Sequence, residues 1–515
     1  MSWEKDIEEL KKREKLAEQM GGPEKLKRQK DNQRLNIRER IEKLLDKNSF
    51  HEIGKISGKP EYDENGEIKN LLPANFVLGR GKINNNYVII GGDDFTVRGG
   101  AADASIRQKQ IMAEQMANQL RLPLIRIIEG TGGGGSIKSL EADLRTYIPE
   151  NPGWEWVVSN LSTVPVIALG LGPVAGLGAA RLVTSHFSIM VKGISQMFVA
   201  GPPVVKRVGQ DLTKEELGGS EIHSKNGAVD IFVNSEEEAL NVTKKILSYL
   251  PPSVYELSDQ KPSSDRIDRR DEWLIKAIPK NRRKVYDMYK IISSVFDKES
   301  FLEIGKDYGK SVITGMARLD GWPIAVLAGN PYFYGGGWTS DASNKVTRFI
   351  DLAETFHLPV VNLVDNPGFT IGLESEKKAT IRHGARALTA VYQATVPWCS
   401  VIIRKVFGVA GAAHMNASRL HYRYAWPSGD WGSLPVEGGI EAAYKTDIEN
   451  SNNPEKLIQE IEKKMESARS PFKTAESFLV EEIIDPRNTR PLLCEFAKIS
   501  APLRKPGKIS FGMRP

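Results

Sequence analysis

The sequence predicts an α/β protein built from two tandem domains of one fold, and two observations carry that prediction. The first is internal repetition. Asp46–Lys55 reads D-K-N-S-F-H-E-I-G-K and Asp297–Lys306 reads D-K-E-S-F-L-E-I-G-K. Downstream, Gly99-Gly100 recurs as Gly335-Gly336, Leu122-Pro123 as Leu358-Pro359, and Thr163-Val164-Pro165 as Thr395-Val396-Pro397. A period this long is a duplicated domain and not a solenoid repeat. The second observation is the alternation, in each copy, of short apolar runs, glycine-bearing loops and helical stretches, the pattern of a sheet covered by helices. At 515 residues the chain also exceeds what one hydrophobic core supports.

Taken in order, residues 1–46 are rich in Lys, Glu and Arg, and Ile37, Ile41, Leu44 and Leu45 fall at helical spacing, so this segment ends in an amphipathic helix. The first domain is read as 47–255 and the second as 256–515, with a Pro/Ser/Asp/Arg-rich linker between Pro251 and Asp271. Residues 77–93 and 312–329 read as strands with hairpin turns. Helices are expected over Asp103–Leu120 and Asp341–Thr355. Buried strands are expected at Leu124–Ile128 and Val360–Val364, and again at Val166–Leu169 and Ser400–Ile403, each running into a glycine-bearing loop. Residues 450–468 read as an exposed charged helix.

Composition excludes several classes. With 40% hydrophobic and 26% charged residues the chain is not disordered. A net charge of +6 suits an anionic small substrate without demanding nucleic acid, and no nucleic-acid-binding motif is present. Only Cys399 and Cys494 occur, so neither a disulfide framework nor a zinc knuckle is expected and no metal is assigned. The polar start argues against a secretory signal, and the apolar stretch at Val164–Ala180 is too short and too broken to span a membrane. A soluble protein of the cytoplasm, or of a compartment like the mitochondrial matrix, is expected.

Four loops are candidates for chemistry: Glu129–Gly135, Gly172–Gly178, Asp365–Phe369 and Phe407–Gly411. Each half places one after its Leu-Pro-led strand and one after its Thr-Val-Pro-led strand. Where a buried strand turns into a helix, free N–H groups point outward and the helix dipole favours negative charge. Two such groups aimed at one oxygen make an oxyanion hole. In a single loop the glycines would read as mere turn formers; four loops in register across a duplication read as a site. Other motifs fail. Gly305–Ser311 is one residue short of a phosphate-binding loop, and Gly170–Gly176 is not the dinucleotide fingerprint. Ser136 and Ser195 lack a nucleophile elbow. His357 and His383 read as packing or surface residues, and His414, beside a site loop, is open between packing and a base.

At these loops the sequence resembles the carboxyltransferase subunits of biotin-dependent acyl-CoA carboxylases, the group acting on propionyl-CoA, acetyl-CoA or methylcrotonyl-CoA. The resemblance runs over nearly the whole chain. It is carried by Arg38-Glu39-Arg40-Ile41, Ile189–Gly193 with Ser195–Phe198, Glu216–Gly219, Val364–Phe369, Ile381–Ala385, Arg404-Lys405, Ala425-Trp426-Pro427 and Asp485–Arg490.

The resemblance implies a pair of crotonase-like domains, a homohexamer, an acyl-CoA substrate mainly on one domain and carboxybiotin mainly on the other. It implies transfer of CO₂ from carboxybiotin to the α- or vinylogous carbon of the thioester. Two oxygens then become negative in turn, that of the thioester and that of the biotin urea, and the duplication supplies a hole for each. By position, Thr131, Gly132, Gly133, Gly176 and Leu177 face the thioester, and Gly368, Phe369, Val409 and Ala410 face the urea. Gly134, Ala175, Gly408, Gly411 and Ala412 line the substrate. Relatives commonly read Gly-Gly-Ala-Tyr at Gly408–Gly411, so Gly411 is expected to open space, and Ala412 is expected to form a small apolar wall suited to an uncharged acyl chain. With no biotin-attachment motif and no ATP-grasp region recognisable, a separate biotin carboxylase and biotin carboxyl carrier are expected as partners. A biotin-dependent decarboxylase subunit, a crotonase-type hydratase or hydrolase using Glu129 or Asp365, and a non-catalytic CoA-binding subunit remain as alternatives.

Overall fold

The computed structural model describes residues 2–101, 104–130, 144–146, 148–435, 439–440, 443–466, 468–510 and 513. The chain divides into two compact units. One runs to Glu256 and takes in the tail from Gly507, and the other spans Leu257–Pro506. The tail thus joins the first unit, where the Gly507 N–H donates to the Val254 carbonyl at 2.7 Å, and not the second domain, where the sequence alone places it.

The first unit opens with helices Glu4–Glu18, Pro23–Asp31 and Ile37–Leu44. The last is fixed by a capping box: the Asn36 side chain accepts from the Arg38 and Glu39 N–H groups, and Glu39 reaches back to the Asn36 N–H. Its stripe of Ile37, Ile41 and Leu44 is buried, as the spacing required.

Besides a two-stranded ribbon of Gly58–Tyr62 and Ile68–Pro73, this unit has an eight-stranded sheet of β1 (His51–Ile53), β2 (Phe76–Ile83), β3 (Asn86–Asp93), β4 (Leu124–Gly130), β5 (Val166–Ala175), β6 (Phe187–Val191), β7 (Gln196–Phe198) and β8 (Ile231–Val233). Their order is β1-β2-β3-β4-β5-β6-β8, with β7 attached to β5. The second unit repeats this with β9 (Leu302–Ile304), β10 (Val312–Leu319), β11 (Trp322–Gly329), β12 (Val360–Asn366), β13 (Trp398–Phe407), β14 (Arg423–Ala425), β15 (Asp430–Gly432) and β16 (Glu482–Ile483). The order is again β9-β10-β11-β12-β13-β14-β16, with β15 attached to β13. In both sheets the first three strands are antiparallel and the rest parallel.

The repeated residues have the same jobs in both copies. Asp46 accepts the Asn84 and Asn85 N–H groups, and Asp297 accepts those of Asp320 and Gly321, so each acid closes the turn of its hairpin. Ser49 accepts from the Lys82 N–H and Ser300 from that of Arg318. The glycine doublets hold left-handed backbone, with φ of 61° and 71° at Gly99 and Gly100 and 60° and 90° at Gly335 and Gly336. A Cβ on Gly336 would stand 2.3 Å from the Asp365 carbonyl oxygen, so only glycine fits against the site strand.

The expected elements are present with shifted ends. The first long helix begins at Arg107, after Asp103, which lies outside the described residues, and its counterpart is Ser340–Thr355. The charged helix near the end is Pro454–Glu466. Strands β5 and β13 run well past the buried segments read from sequence, so the residues from Gly170 to Ala175 are strand and not loop. The reason is tertiary: the ends of β5 and β13 find second partners in β7 and β15. Among the described residues no helix is long and apolar enough to cross a membrane, and no cluster of three or more His, Cys, Asp or Glu could hold a metal.

Candidate active site

In the first unit, β4 delivers Glu129-Gly130 to the site. Glu129 is fully buried, with Arg40 at 2.6 Å, Arg34 at 3.4 Å and the Gln29 amide at 3.3 Å, and its N–H donates to Asp93. Arg40 also pairs with Glu236 at 2.7 Å. Burial pushes the Asp93 carboxyl up to about 6. Thr131, Gly132, Gly133 and Gly134 lie outside the described residues.

The turn after β5 is made by Gly176, whose φ of 59° and ψ of −124° suit glycine alone, with Ala175 ending the strand before it. The Gly176 N–H donates to the Phe198 carbonyl on β7, so it is engaged within the fold. The donors without an intrahelical acceptor are those of Leu177 and the residue after it, in the first turn of helix Leu177–Val183. Gly176 and Leu177 are both exposed.

The second unit repeats the arrangement at Gly408, with φ of 60°, followed by the short helix Gly408–Ala412 that carries the Val409 and Ala410 N–H groups in its first turn. Beside it lies Gly368, in which a Cβ would stand 3.6 Å from the Phe407 carbonyl oxygen, so the two loops of this half come together. Gly368 itself does not offer the donor expected of it. Its N–H donates to the Asn366 side chain at 3.0 Å, and the Phe369 N–H is the one that finds no acceptor among the described residues. Backbone bonds from Trp338 to Gly368 and from Thr370 to Trp338 hold this loop extended. The Phe369 ring rests on Gly384, where an added Cβ would meet it at 2.2 Å, and faces Trp338 at 6.4 Å between centroids.

Asp365 is the buried acid of this half. It accepts from the Tyr286 hydroxyl at 2.7 Å and the Lys405 N–H at 3.0 Å, and pairs with Arg404 at 3.1 Å. Gly411 does not open space as expected. It is buried, with the Val406 backbone 2.8 Å from where a Cβ would sit, and it lets the short helix press onto β13. Ala412 is exposed at the end of that helix.

The remaining candidates are structural. The Ser195 hydroxyl is buried, donating to the Gly170 carbonyl and accepting from the Val191 N–H. Ser136 lies outside the described residues. His383 bonds to the Asn344 side chain. His414 is buried, its Nδ1 meets the Gly411 carbonyl at 2.8 Å, and burial lowers its pKa to about 4, so it is a neutral packing residue near neutral pH. Arg490, in the Asp485–Arg490 motif, is buried on Asp297 at 2.8 Å. Tyr286, Asn362 and Asn366 were missed from sequence. Asn366 stood in plain view in the Asp-Asn-Pro-Gly-Phe stretch, but nothing in the residue order says that it reaches a helix forty residues later.

Two copies of one fold each present backbone N–H groups at a strand-to-helix turn and seal their nearest acid behind arginine, an arrangement chemically suited to holding an oxyanion. The carboxyl transferase domain family matches residues 28–507. The chain is 33% identical over 493 residues to the propionyl-CoA carboxylase beta chain of Roseobacter denitrificans, covering 94% of each. It is 31% identical over 489 residues to methylmalonyl-CoA decarboxylase subunit alpha of Veillonella parvula, covering 93% of this chain and 92% of that one. Among solved structures, the transcarboxylase 12S hexamer with methylmalonyl-coenzyme A bound matches with a TM-score of 0.87 at 28% identity, over 100% of this chain and 98% of that one. The chain belongs to the carboxyl transferase family. It is a carboxyltransferase of the propionyl-CoA and methylmalonyl-CoA carboxylase group, and its two units are tandem crotonase-like domains.

Proposed function

We propose that this subunit carboxylates the α-carbon of a short, uncharged acyl-CoA, propionyl-CoA or one close to it, using carboxybiotin on a separate carrier. The observation that carries the proposal is the pair of matching turns at Gly176 and Gly408, each at φ near 60° and each followed by a helix that leads with free N–H groups. In this reading the Leu177 N–H faces the thioester oxygen. The N–H groups of Phe369, Val409 and Ala410 face the biotin urea oxygen. Losing one donor of this kind costs on the order of 10²–10³ in rate.

The second half fits biotin on two counts: the Phe369 N–H is unengaged, and Gly368 and Gly408 leave the backbone bare of side chains where a planar urea would approach. Biotin supplies the carboxyl group and, after giving it up, a basic urea nitrogen. The chain's own residues hold the two oxygens, and the exposed Val409 and Ala412 side chains form the apolar rim beside them. Glu129 and Asp365 are both buried and arginine-paired, which supports transfer over hydration or hydrolysis. A biotin carboxylase and a biotin carrier are the proposed partners, and a homohexamer the proposed assembly, by likeness to the 12S hexamer. The proposed compartment is the cytoplasm.

The test is biotin-dependent decarboxylation of malonyl-, methylmalonyl- and methylglutaconyl-CoA by the purified chain with free biotin. Preference for methylmalonyl-CoA is expected. Flat rates across the panel would sink the assignment of acyl selectivity to the wall at Ala412, and no turnover of any of the three would sink the reading itself.

A further inference from the structure

We propose that Asn366 is a positioning residue for the transfer, a side-chain bridge that sets which backbone groups the second half presents; this rests on the carboxyltransferase reading above. Asn366 ends β12 and is buried. Its Nδ2 donates to the Ala410 carbonyl at 2.8 Å and its Oδ1 accepts from the Gly368 N–H at 3.0 Å. One amide therefore ties both loops of the half together.

The bridge has two consequences. It turns the Gly368 N–H inward, so that Phe369 supplies the outward donor of that loop. It also holds the helix Gly408–Ala412 by a carbonyl, so that its first-turn N–H groups point away from the strand. A helix this short has no stability of its own, and its aim depends on such anchors. Asn362, four residues earlier on the same face of β12, adds a second: its Nδ2 donates to the His414 carbonyl at 3.0 Å, which Trp398 Nε1 and Ser400 Oγ also reach. The bridge needs a donor at one end and an acceptor at the other, which an amide has and a carboxylate lacks. The equivalent position in the first half is Gly130, paired to Val174 as Asn366 is paired to Val406, and glycine makes no bridge. The two copies have diverged at this point, and among the described residues the side-chain bridge is seen in the second half.

The test uses the full chain with methylmalonyl-CoA and free biotin, comparing wild type, Asn366→Asp and Asn366→Leu. In Asn366→Asp an ionised carboxylate still accepts from Gly368 but repels the Ala410 carbonyl, whereas the protonated acid donates to it. The variant should gain a limb in which kcat rises as pH falls, absent from wild type, with KM for the CoA thioester roughly unchanged. Asp365 with Arg404 and Tyr286, and His414, are the titratable groups packed around this position, and all are present in wild type, so only the added limb counts. Asn366→Leu should lose about 10- to 100-fold in kcat at every pH. Both variants should bind free biotin more weakly by calorimetry. If wild type turns over and Asn366→Asp keeps wild-type kcat, pH profile and biotin affinity, the bridge is overturned while the carboxyltransferase reading stands. A loss in Asn366→Asp that is equal at all pH values, with KM rising alongside, marks a merely structural role and also overturns it. If wild type itself turns over none of the CoA thioesters, the reading and the bridge fall together. Should Asn366→Leu fail to fold, the isosteric aspartate decides.

Discussion

Glu129 and Asp365 stand at equivalent positions, each one residue before the end of its strand, and each is fully buried against an arginine. In the first half the arginine is Arg40, from the capped helix Ile37–Leu44. In the second it is Arg404, from β13, with Tyr286 adding a hydroxyl. A duplicated acid beside a site meant for anions would repel them if left bare, and burial behind a cation removes that repulsion. The two halves reach the same electrostatic result with different parts of the chain.

Breaking this pairing should unfold before it inactivates. Arg40→Ala leaves Glu129 and Glu236 buried without their shared partner, and a broken buried pair costs roughly 3–5 kcal/mol. A drop of that size in denaturant-unfolding stability is expected. Lys225→Ala, which removes the exposed pair with Glu221, should leave the midpoint in place.

Gly384→Ala should separate catalysis from folding. The new methyl would meet the far end of the half-buried Phe369 ring at 2.2 Å, so the ring has to shift. The Phe369 N–H moves with it. A fall in kcat of about 10²-fold with a thermal midpoint near wild type is expected. Wild-type kcat in a folded Gly384→Ala would show that the aim of this N–H is unimportant.

His414 makes the fold acid-sensitive. Its pKa is lowered from 6.5 to about 4 in the folded chain, so the unfolded chain binds the proton first as pH falls. Stability should therefore be full above about 6.5 and decline as pH drops toward about 4, by on the order of 3 kcal/mol from this group. His414→Gln should flatten that slope in urea unfolding followed at pH 4.5 and 7.5. It should also leave the pH–rate profile without a lost limb, because a packing histidine carries no proton in turnover.

The two copies of the repeated aspartate should differ in cost. Asp46→Asn loses part of a turn closure near the surface, worth about 1 kcal/mol. Asp297→Asn also takes from the buried Arg490 the nearer of its two carboxylate partners, leaving Asp265 at 3.6 Å, so it should cost more than Asp46→Asn. Equal destabilisation in parallel denaturation curves would contradict this.

The sequence by itself determined the duplication, the alternation of strand and helix and the hairpin turns, because each is a short-range pattern. Two residues of Asp-Lys-x-Ser-Phe suffice to close a hairpin, and a glycine at φ near 60° announces its own turn. Through its resemblance the sequence also determined the family. What only the tertiary structure decided are the meetings between residues far apart in the chain. Arg40 reaching Glu129, Gly384 making room for Phe369, and β7 and β15 extending β5 and β13 past their buried runs are of this kind. So is Asn366 engaging the Gly368 N–H while holding Ala410, which shifted the donor from one residue to the next. Local pattern shows where a backbone turns; which of its N–H groups stays free depends on what side chain arrives to take the others.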